Sequence, residues 1–448
     1  MLGEISILLI RGFGMLGREG QHPHCMGKFA PAHGAVSLFA AVGLATLGVL
    51  AGSAGAWAQQ PPVWVTMINP EVRYVSWQTR QPDAFNPTPS KGTQVYVPFG
   101  GQINFQPNDE WAFEFVARSG YVATRHTITE NNLNKLYGAI DTFTDSSVAL
   151  TTTYKGFAWM QPYVSVALNL PTGKTRLDSD QQRALIDSDI VQVPAYGQGL
   201  NIAPTVGVNV PLGSTALLNF AVGYTDRGKY ERMFASGWGD QSITVSPGEI
   251  LTLTAGYGYY DGPISFSASV SWSHETTTRW TSPTKDFDYF RSGDTVNAFA
   301  ALGYAWNSNF TTRVSALYSY TWSNHVDFVP PASTSHTFVL EDTNSNSTMI
   351  RATFEAVYAV GALTLTPSVS YMHRDHNAWS NTDNRFIPAK QAWTVGAAAQ
   401  YNLAEQIAIN GRIEHTWLHV SSTLLNFPPV PTLDSDVWLV TLGVIVRI

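Results

Sequence analysis

From about residue 70 onward, apolar and polar positions alternate with a period of two rather than a helical period. The clearest stretch is Ile264 to Glu275, ISFSASVSWSHE. Ile264, Phe266, Ala268, Val270 and Trp272 fall on one face, with Ser265, Ser267, Ser269, Ser271 and Ser273 on the other. On a helix those serines would circle the axis; on a strand they share one side. The segment is predicted as a strand with one apolar and one small polar face.

The same alternation recurs to the C-terminus. Val95, Val97, Phe99, Ile103 and Phe105 oppose Gln102 and Asn104, and Trp111, Phe113, Phe115 and Tyr121 oppose Glu114 and Arg118. Val164, Val166, Leu168 and Leu170 face away from Ser165 and Asn169, as Val206, Val208 and Val210 do from Thr205 and Asn209. Phe310, Val314, Ala316, Tyr318 and Trp322 oppose Arg313, Ser315 and Ser319, while Ile350, Phe354 and Tyr358 oppose Arg351 and Glu355. Short links such as Asn108-Asp109, Asp261-Gly262-Pro263 and Gly361-Ala362 carry hairpin residues. They alternate with long polar segments near 173–199, 225–248, 278–292, 324–346, 374–390 and 422–435. Such sorting is expected when all short turns lie on one side of a membrane.

Charge placement agrees. A Lys or Arg on a lipid-facing strand surface costs about 2–4 kcal/mol at the bilayer midplane, so membrane strands keep charge off one face. Glu114, Arg118, Arg313, Arg351, Glu355, Arg412 and Glu414 all fall on the polar face. Trp272, Trp322, Tyr358 and Trp417 sit near the ends of apolar faces, where interfacial girdles lie. Unpaired backbone is costly in lipid, so the sheet must close. The expectation is an all-β chain, a closed antiparallel transmembrane β-barrel with short periplasmic turns and long outer loops. Fifteen candidate strands lie between Gln94 and Ile448, and Glu71 to Thr79 supplies a sixteenth. Fourteen is the alternative count.

Composition narrows the class. Only 13% of the 448 residues are charged, the net charge is −7, and 12% are aromatic. That many aromatics excludes a disordered coil, and an acidic chain lacks the cations that nucleic acid requires. The one long apolar run, Val36 to Leu50, follows Lys28 and precedes Ala56-Trp57-Ala58. It reads as a cleavable signal peptide with cleavage after Ala58, the alternative being a retained anchor. Residues 1–58 are therefore an upstream extension plus signal, 59–70 a periplasmic N-terminal segment, and 71–448 the barrel. The single cysteine, Cys25, lies in the removed part.

Motifs for chemistry are few. Gly173-Lys174-Thr175 resembles the end of a phosphate-binding loop, but Leu168 stands where its first glycine belongs and no helix follows. Ser282 to Lys285 matches S-x-x-K without its companion motifs. Ser273 and His274 face opposite ways, which speaks against a rim hydrolase. His373, Asp375 and His376 form a small cluster without a further ligand, and they read as a solvated loop top. Asp-Ser-Asp at Asp178/Asp180, Asp187/Asp189 and Asp434/Asp436 suits either divalent-cation bridging at a lipopolysaccharide surface or simple loop solubility. No catalytic residue, metal site or cofactor is assigned.

The polar face is more informative. Ser, Thr, Asn, Gln and Gly are too small to fill a barrel of about sixteen strands, so an aqueous lumen is expected. Its charged lining candidates are Arg118, Lys155, Arg313, Arg351 and Arg412 with Glu114, Glu275, Glu355 and Glu414. These are nearly balanced, and they serve either solute selection or cross-strand ion pairs bracing the wall.

The chain resembles Gram-negative outer-membrane barrels in general. Gln161 to Gly173 (QPYVSVALNLPTG) and Leu200 to Gly213 (LNIAPTVGVNVPLG) are similar to hairpins of the transporter-like barrel family of aromatic meta-cleavage pathways. That resemblance implies handling of small hydrophobic compounds. The chain also resembles autotransporter-type barrels without a passenger. Its last alternating residues are similar to a barrel-assembly signal, although they end in Ile448 rather than an aromatic. The expected partners are outer-membrane lipid and lipopolysaccharide, the barrel-assembly machinery through the C-terminal strand, and a small-molecule solute. The expected function is a non-enzymatic outer-membrane channel for passive transport of small solutes, with small hydrophobic or aromatic compounds as one class. The alternatives are an adhesion or structural barrel whose loops bind a partner, and a rim-located enzyme.

Overall fold

The computed structural model describes residues 63–82, 84, 88–130, 134–236, 239–281, 288–328, 337–383, 385–421 and 431–447. The signal segment, Ser282 to Lys285 and Ile448 lie outside the described residues. Sixteen antiparallel strands form one closed sheet. The first, β1, runs Val63–Ile68 and continues, past a step at Asn69-Pro70, as Glu71–Arg80. Then come β2 (Ser90–Gln106), β3 (Trp111–Glu130) and β4, which is Asn134–Phe143 continued by Ser146–Tyr154. Next are β5 (Gln161–Leu170), β6 (Asn201–Leu212), β7 (Ala216–Arg227), β8 (Ile250–Asp261) and β9 (Ile264–Glu275). The wall continues with β10 (Thr295–Asn307), β11 (Phe310–Thr321), β12 (Met349–Val360) and β13 (Leu363–Arg374). It ends with β14 (Lys390–Ala404), β15 (Ile407–Val420) and β16 (Leu433–Arg447).

Each strand pairs with the next, and β16 returns to β1 with Val75 opposite Leu439 and Met67 opposite Arg447. The sheet therefore has no free edge, as lipid demands. Sixteen strands with short and long connections in alternation match the expected architecture. The barrel starts earlier than Glu71, however. Val63–Ile68 pairs with β2, so part of the segment expected below the barrel belongs to its wall.

Outward residues are apolar. Val72, Phe115, Leu150, Val206, Phe220, Val270, Val314, Ile350, Val395 and Leu442 are all exposed on one register face. Two aromatic bands bound that belt. Trp111, Tyr304, Trp306, Tyr358 and Tyr401 lie toward the short-turn end. Tyr121, Phe143, Tyr224, Trp322, Trp393, Trp417 and Trp438 lie toward the long-loop end. Two of the tight turns use glycine in the left-handed region, Gly262 at φ 54° and Gly361 at φ 59°, where a Cβ would be strained.

At the long-loop end, hairpins rise from β7–β12 as a second, six-stranded sheet. Its strands are β17 (Tyr230–Ser236), β18 (Gly239–Ser246), β19 (Thr278–Thr281), β20 (Asp288–Arg291), β21 (His325–Phe328) and β22 (Thr337–Leu340). This collar stands on one half of the rim.

Candidate functional site: a loop folded into the barrel

The connection between β5 and β6, residues 171–200, does not stand above the rim. It contains a one-turn helix, α1 (Ser179–Gln182), capped by Asp178, whose carboxylate accepts from the Gln181 amide at 2.9 Å. Beyond that turn the chain packs against inward-facing wall residues. Ile186 and Val191 bury with Val75 and Trp77 of β1 and Val437 and Leu439 of β16. Leu177, Ala184, Val193 and Tyr196 bury with Val122 of β3 and Ile140 of β4. Ile190 packs on Met372, Ala392 and Leu418 of β13–β15. Each Leu, Ile or Val withdrawn from water in this way contributes about 1.5–3 kcal/mol. The segment read from its polar residues as an outer loop is thus amphipathic, and its apolar side lines the lumen wall.

Polar contacts fix its position. Gln94 of β2 clasps the backbone of Val193 in both directions, accepting from its amide at 3.2 Å and donating to its carbonyl at 3.0 Å. The same Gln94 amide donates to Thr124 at 3.0 Å, so a fully buried glutamine is satisfied on all sides. His126 of β3 donates to the Arg183 carbonyl at 2.7 Å, and Arg73 of β1 donates to Gln192. Tyr196 donates to the Ala184 carbonyl at 2.8 Å; burial pushes its phenol up to about 12.

The strongest anchor is ionic. Lys390, at the start of β14, pairs with Asp187 and also lies 3.2 Å from Asp189, which meets Arg374 of β13 at 3.1 Å. All four side chains are largely buried. Burial alone would raise the Asp187 carboxyl, but Lys390 with the Asp189 amide outweighs it and holds the group at about 2. Two of the Asp-Ser-Asp aspartates are therefore neutralised by the protein's own cations. Of the others, Asp180 pairs with Arg183 at 2.6 Å, Asp434 with His419 at 2.7 Å, and Asp436 lies 3.7 Å from Arg80.

Asp145 holds the loop's stalk. It sits in the step of β4, and its carboxylate accepts from the amides of Gly173 and Gln198 at 2.8 and 2.6 Å and from Asn169 at 2.9 Å. One carboxylate thus clips together the two ends of the loop. Gly173 of the phosphate-loop lookalike has a structural use here: a Cβ would stand 1.9 Å from the Tyr196 carbonyl. Sequence reasoning missed Asp145, Gln94 and Arg73. The available signal was the break in alternation at Thr144-Asp145, since a charged residue in a strand step has to find partners.

The structure gives the nine charged lining candidates different roles. Arg313 and Glu355 are register partners on β11 and β12, 3.6 Å apart. Arg412 pairs with Glu414 along β15, rather than across strands. Glu275 at the end of β9 pairs with Arg227 of β7 through the intervening β8. Glu114 accepts from Gln102 at 3.2 Å, and Arg118 shares its inward register on β3. Lys155 lies one residue past β4 at the short-turn rim, 3.4 Å from Gln106. Arg351 points inward from β12 and is exposed.

The loop contacts described above fall on β1–β4 and β13–β16, an unbroken arc of half the wall. A chamber of about 350 Å³ remains beside Gln192, lined by Glu71, Arg73, Thr366, Gln400, Asn410 and Arg412. Across the lumen the serine face of β9 and the exposed Arg313 and Arg351 remain open. The lumen is thus not the unobstructed bore that small lining residues suggest.

Of the lookalike chemistry, His274 pairs with Asp294 at 2.7 Å on the outer face, with Ser273 on the opposite face. His373 meets Asp375 at 2.8 Å, and His376 turns to the Asn377 carbonyl at 2.6 Å. Among the described residues, no three His, Cys, Asp or Glu side chains gather as metal ligands.

No family model matches the chain, and no curated protein matches it. Among solved structures, a mutant of the TodX monoaromatic hydrocarbon channel is similar at 12% identity and TM-score 0.43, covering 85% of this chain and 90% of that one. OccK7 of Pseudomonas aeruginosa is similar at 9% identity and TM-score 0.41, covering 86% of this chain and all of the other. OmpT of Vibrio cholerae, in its outer-membrane expressed form, is similar at 10% identity and TM-score 0.38, covering 88% and 99%.

Proposed function

We propose that the protein is a non-enzymatic outer-membrane channel through which small solutes pass by diffusion. The supporting observation is the division of the lumen. The 171–200 loop is fastened to one half of the wall by Gln94, Lys390 and Arg374. The other half presents the β9 serines, the Arg313–Glu355 pair and, four residues away along β12, the exposed Arg351. A solute crossing there meets hydroxyls and guanidinium groups. Guanidinium groups also stack on flat π-systems, so small aromatic compounds are the first class to try. The long-loop end faces outward, and the short turns face the periplasm.

The test is single-channel recording of the barrel in a planar bilayer under a salt gradient, followed by influx of benzoate-sized aromatics against sugars of similar mass. Stable, weakly selective steps are expected. A correctly folded but silent barrel would overturn the reading. A second reading, partner binding at the collar, is favoured by β22. It pairs only with β21 among the described residues and exposes Phe338, Val339 and Leu340. Removing the collar tips would abolish such binding and leave conductance intact.

A further inference from the structure

The outward wall carries very few cations, and all of them lie together. By register, the Lys and Arg residues on the outer face of the barrel strands are Arg80 on β1, Lys91 on β2, Arg125 on β3 and Lys135 on β4. The other Lys and Arg of the sixteen barrel strands, from Arg73 to Arg447, share the inward register. The four occupy consecutive strands at the long-loop end. Lys91 stands opposite Gln78 on one side and Thr127 on the other, Arg125 opposite Thr93, and Lys135 opposite Thr129.

Their height is defined by the aromatic band. Arg125 lies four residues beyond Tyr121 along a tilted strand, about 10 Å farther out. That is the headgroup level of the outer leaflet, where a cation escapes the midplane penalty. Arg80, Lys91 and Arg125 line a concavity of about 700 Å³ in the outer surface, together with Thr93, Thr127 and Trp438. Arg80 and Arg125 are 63% and 53% exposed in their side chains, so their guanidinium groups are within reach of a ligand. Three carboxylates are present against the four cations: Asp141, 2.6 Å from Arg125, Asp436, 3.7 Å from Arg80, and Asp434, the register partner of Arg80, which also meets His419 at 2.7 Å. Lys91 and Lys135 make no ion pair among the described residues, so a positive surplus remains. On the other described barrel strands the outward residues among Asp, Glu, Lys and Arg are acids, Asp226 on β7 and Asp261 on β8 being examples.

We infer that this patch binds the phosphorylated headgroup of an outer-leaflet glycolipid of the lipid A type, with the acyl chains lying down the apolar belt below it. The chemistry fits on both sides. Guanidinium groups engage phosphate oxygens through paired hydrogen bonds, lysines add point charges, and Thr93 and Thr127 offer hydroxyls to sugar. Such a contact would orient the barrel beside one lipid class, whatever passes through its lumen.

The test uses the full barrel extracted from outer membranes and stripped of lipid in non-ionic detergent. Bisphosphorylated lipid A is titrated in, and bound lipid is counted by native mass spectrometry. Removing the charges together in R80Q/K91Q/R125Q/K135Q should weaken retention about tenfold or more, since each lost charge-assisted contact is worth about that factor. The charge-keeping variant R80K/R125K should retain most binding, which guards against misfolding in the first variant; heat-modifiable gel mobility checks both. Equal binding by the neutralised barrel would overturn the inference. So would equal binding of the fully dephosphorylated glycolipid, or displacement by millimolar inorganic phosphate, which would mark a free-phosphate site instead.

Discussion

The two halves of the rim solve the same problem in opposite ways. Above β7–β12 the long connections continue the wall upward, and backbone ladders such as Tyr230 to Ser236 against Gly239 to Val245 hold the collar. Beside β13–β16 and β1–β4 the connection of residues 171–200 turns inward, held by side chains with almost no ladder. A ladder tolerates many sequences because its bonds are between backbones. An infolded loop needs particular side chains at particular heights, since every buried backbone group must find a partner. The collar can therefore drift in sequence, whereas the loop is specified residue by residue.

Excising the loop tests that contrast most severely. Replacing residues 174–197 by a short Gly-Ser link should raise single-channel conductance several-fold and flatten its discrimination between solutes. Unchanged conductance would show that the constriction lies elsewhere. Next in size comes the ionic anchor. Lys390→Met leaves Asp187 without its cation, a change that costs about 3–5 kcal/mol for a buried pair. Arg374 still serves Asp189, so the lower end of that range applies. Amide exchange at Val191 and Val193 should accelerate and open-channel noise should rise. Adding Asp187→Asn to Lys390→Met should recover much of the loss, because the uncompensated charge is gone.

The barrel was legible in the sequence because a membrane wall obeys one rule at every strand. Ile264 to Glu275 announces its lipid face and its serine face without any knowledge of neighbours, and Glu71 to Thr79 does so less clearly but enough to complete sixteen strands. The loop was not legible, for a physical reason. Leu177, Ile186, Val191, Val193 and Tyr196 are spaced irregularly among polar residues, and irregular backbone has no period to reveal which side chains bury. Its anchors lie 99 residues away in sequence at Gln94 and 203 away at Lys390. Among the charged lining candidates, Arg412 pairs with Glu414 on its own strand rather than with a cross-strand partner.

A smaller effect is expected from the polar clasp. Gln94→Ala removes both bonds to the Val193 backbone and leaves its amide and carbonyl buried without partners, at a cost of about 1–3 kcal/mol. Exchange at Val193 should accelerate more than at Ile186, which depends on apolar packing. Equal acceleration at both would mean that the loop releases as one unit.

The smallest effect is expected from acid, and its sign follows from the Asp187 carboxyl. That group is held at about 2 against an ordinary 3.8, so its pairing with Lys390 stabilises the infolded loop at any pH above about 4. The contribution fades only as pH falls from there through about 2. Between pH 7 and 5, loop exchange and channel noise attributable to this pair should not change, and the Lys390→Met barrel should be noisier throughout. The collar offers the control, because His325 is pushed below the usual histidine range by burial and by Arg291, which donates to its ring at 2.6 Å. A group so lowered favours the folded arrangement above the ordinary histidine value and withdraws that support as pH falls through its own lower one. Acidification from pH 7 to 5 should therefore loosen β20–β21. The comparison with the loop is made in a His126→Gln barrel, in which the glutamine keeps a donor for the Arg183 carbonyl and no histidine touches the loop. If noise still rose first at the loop in that range, the Lys390 anchor would not be what holds it.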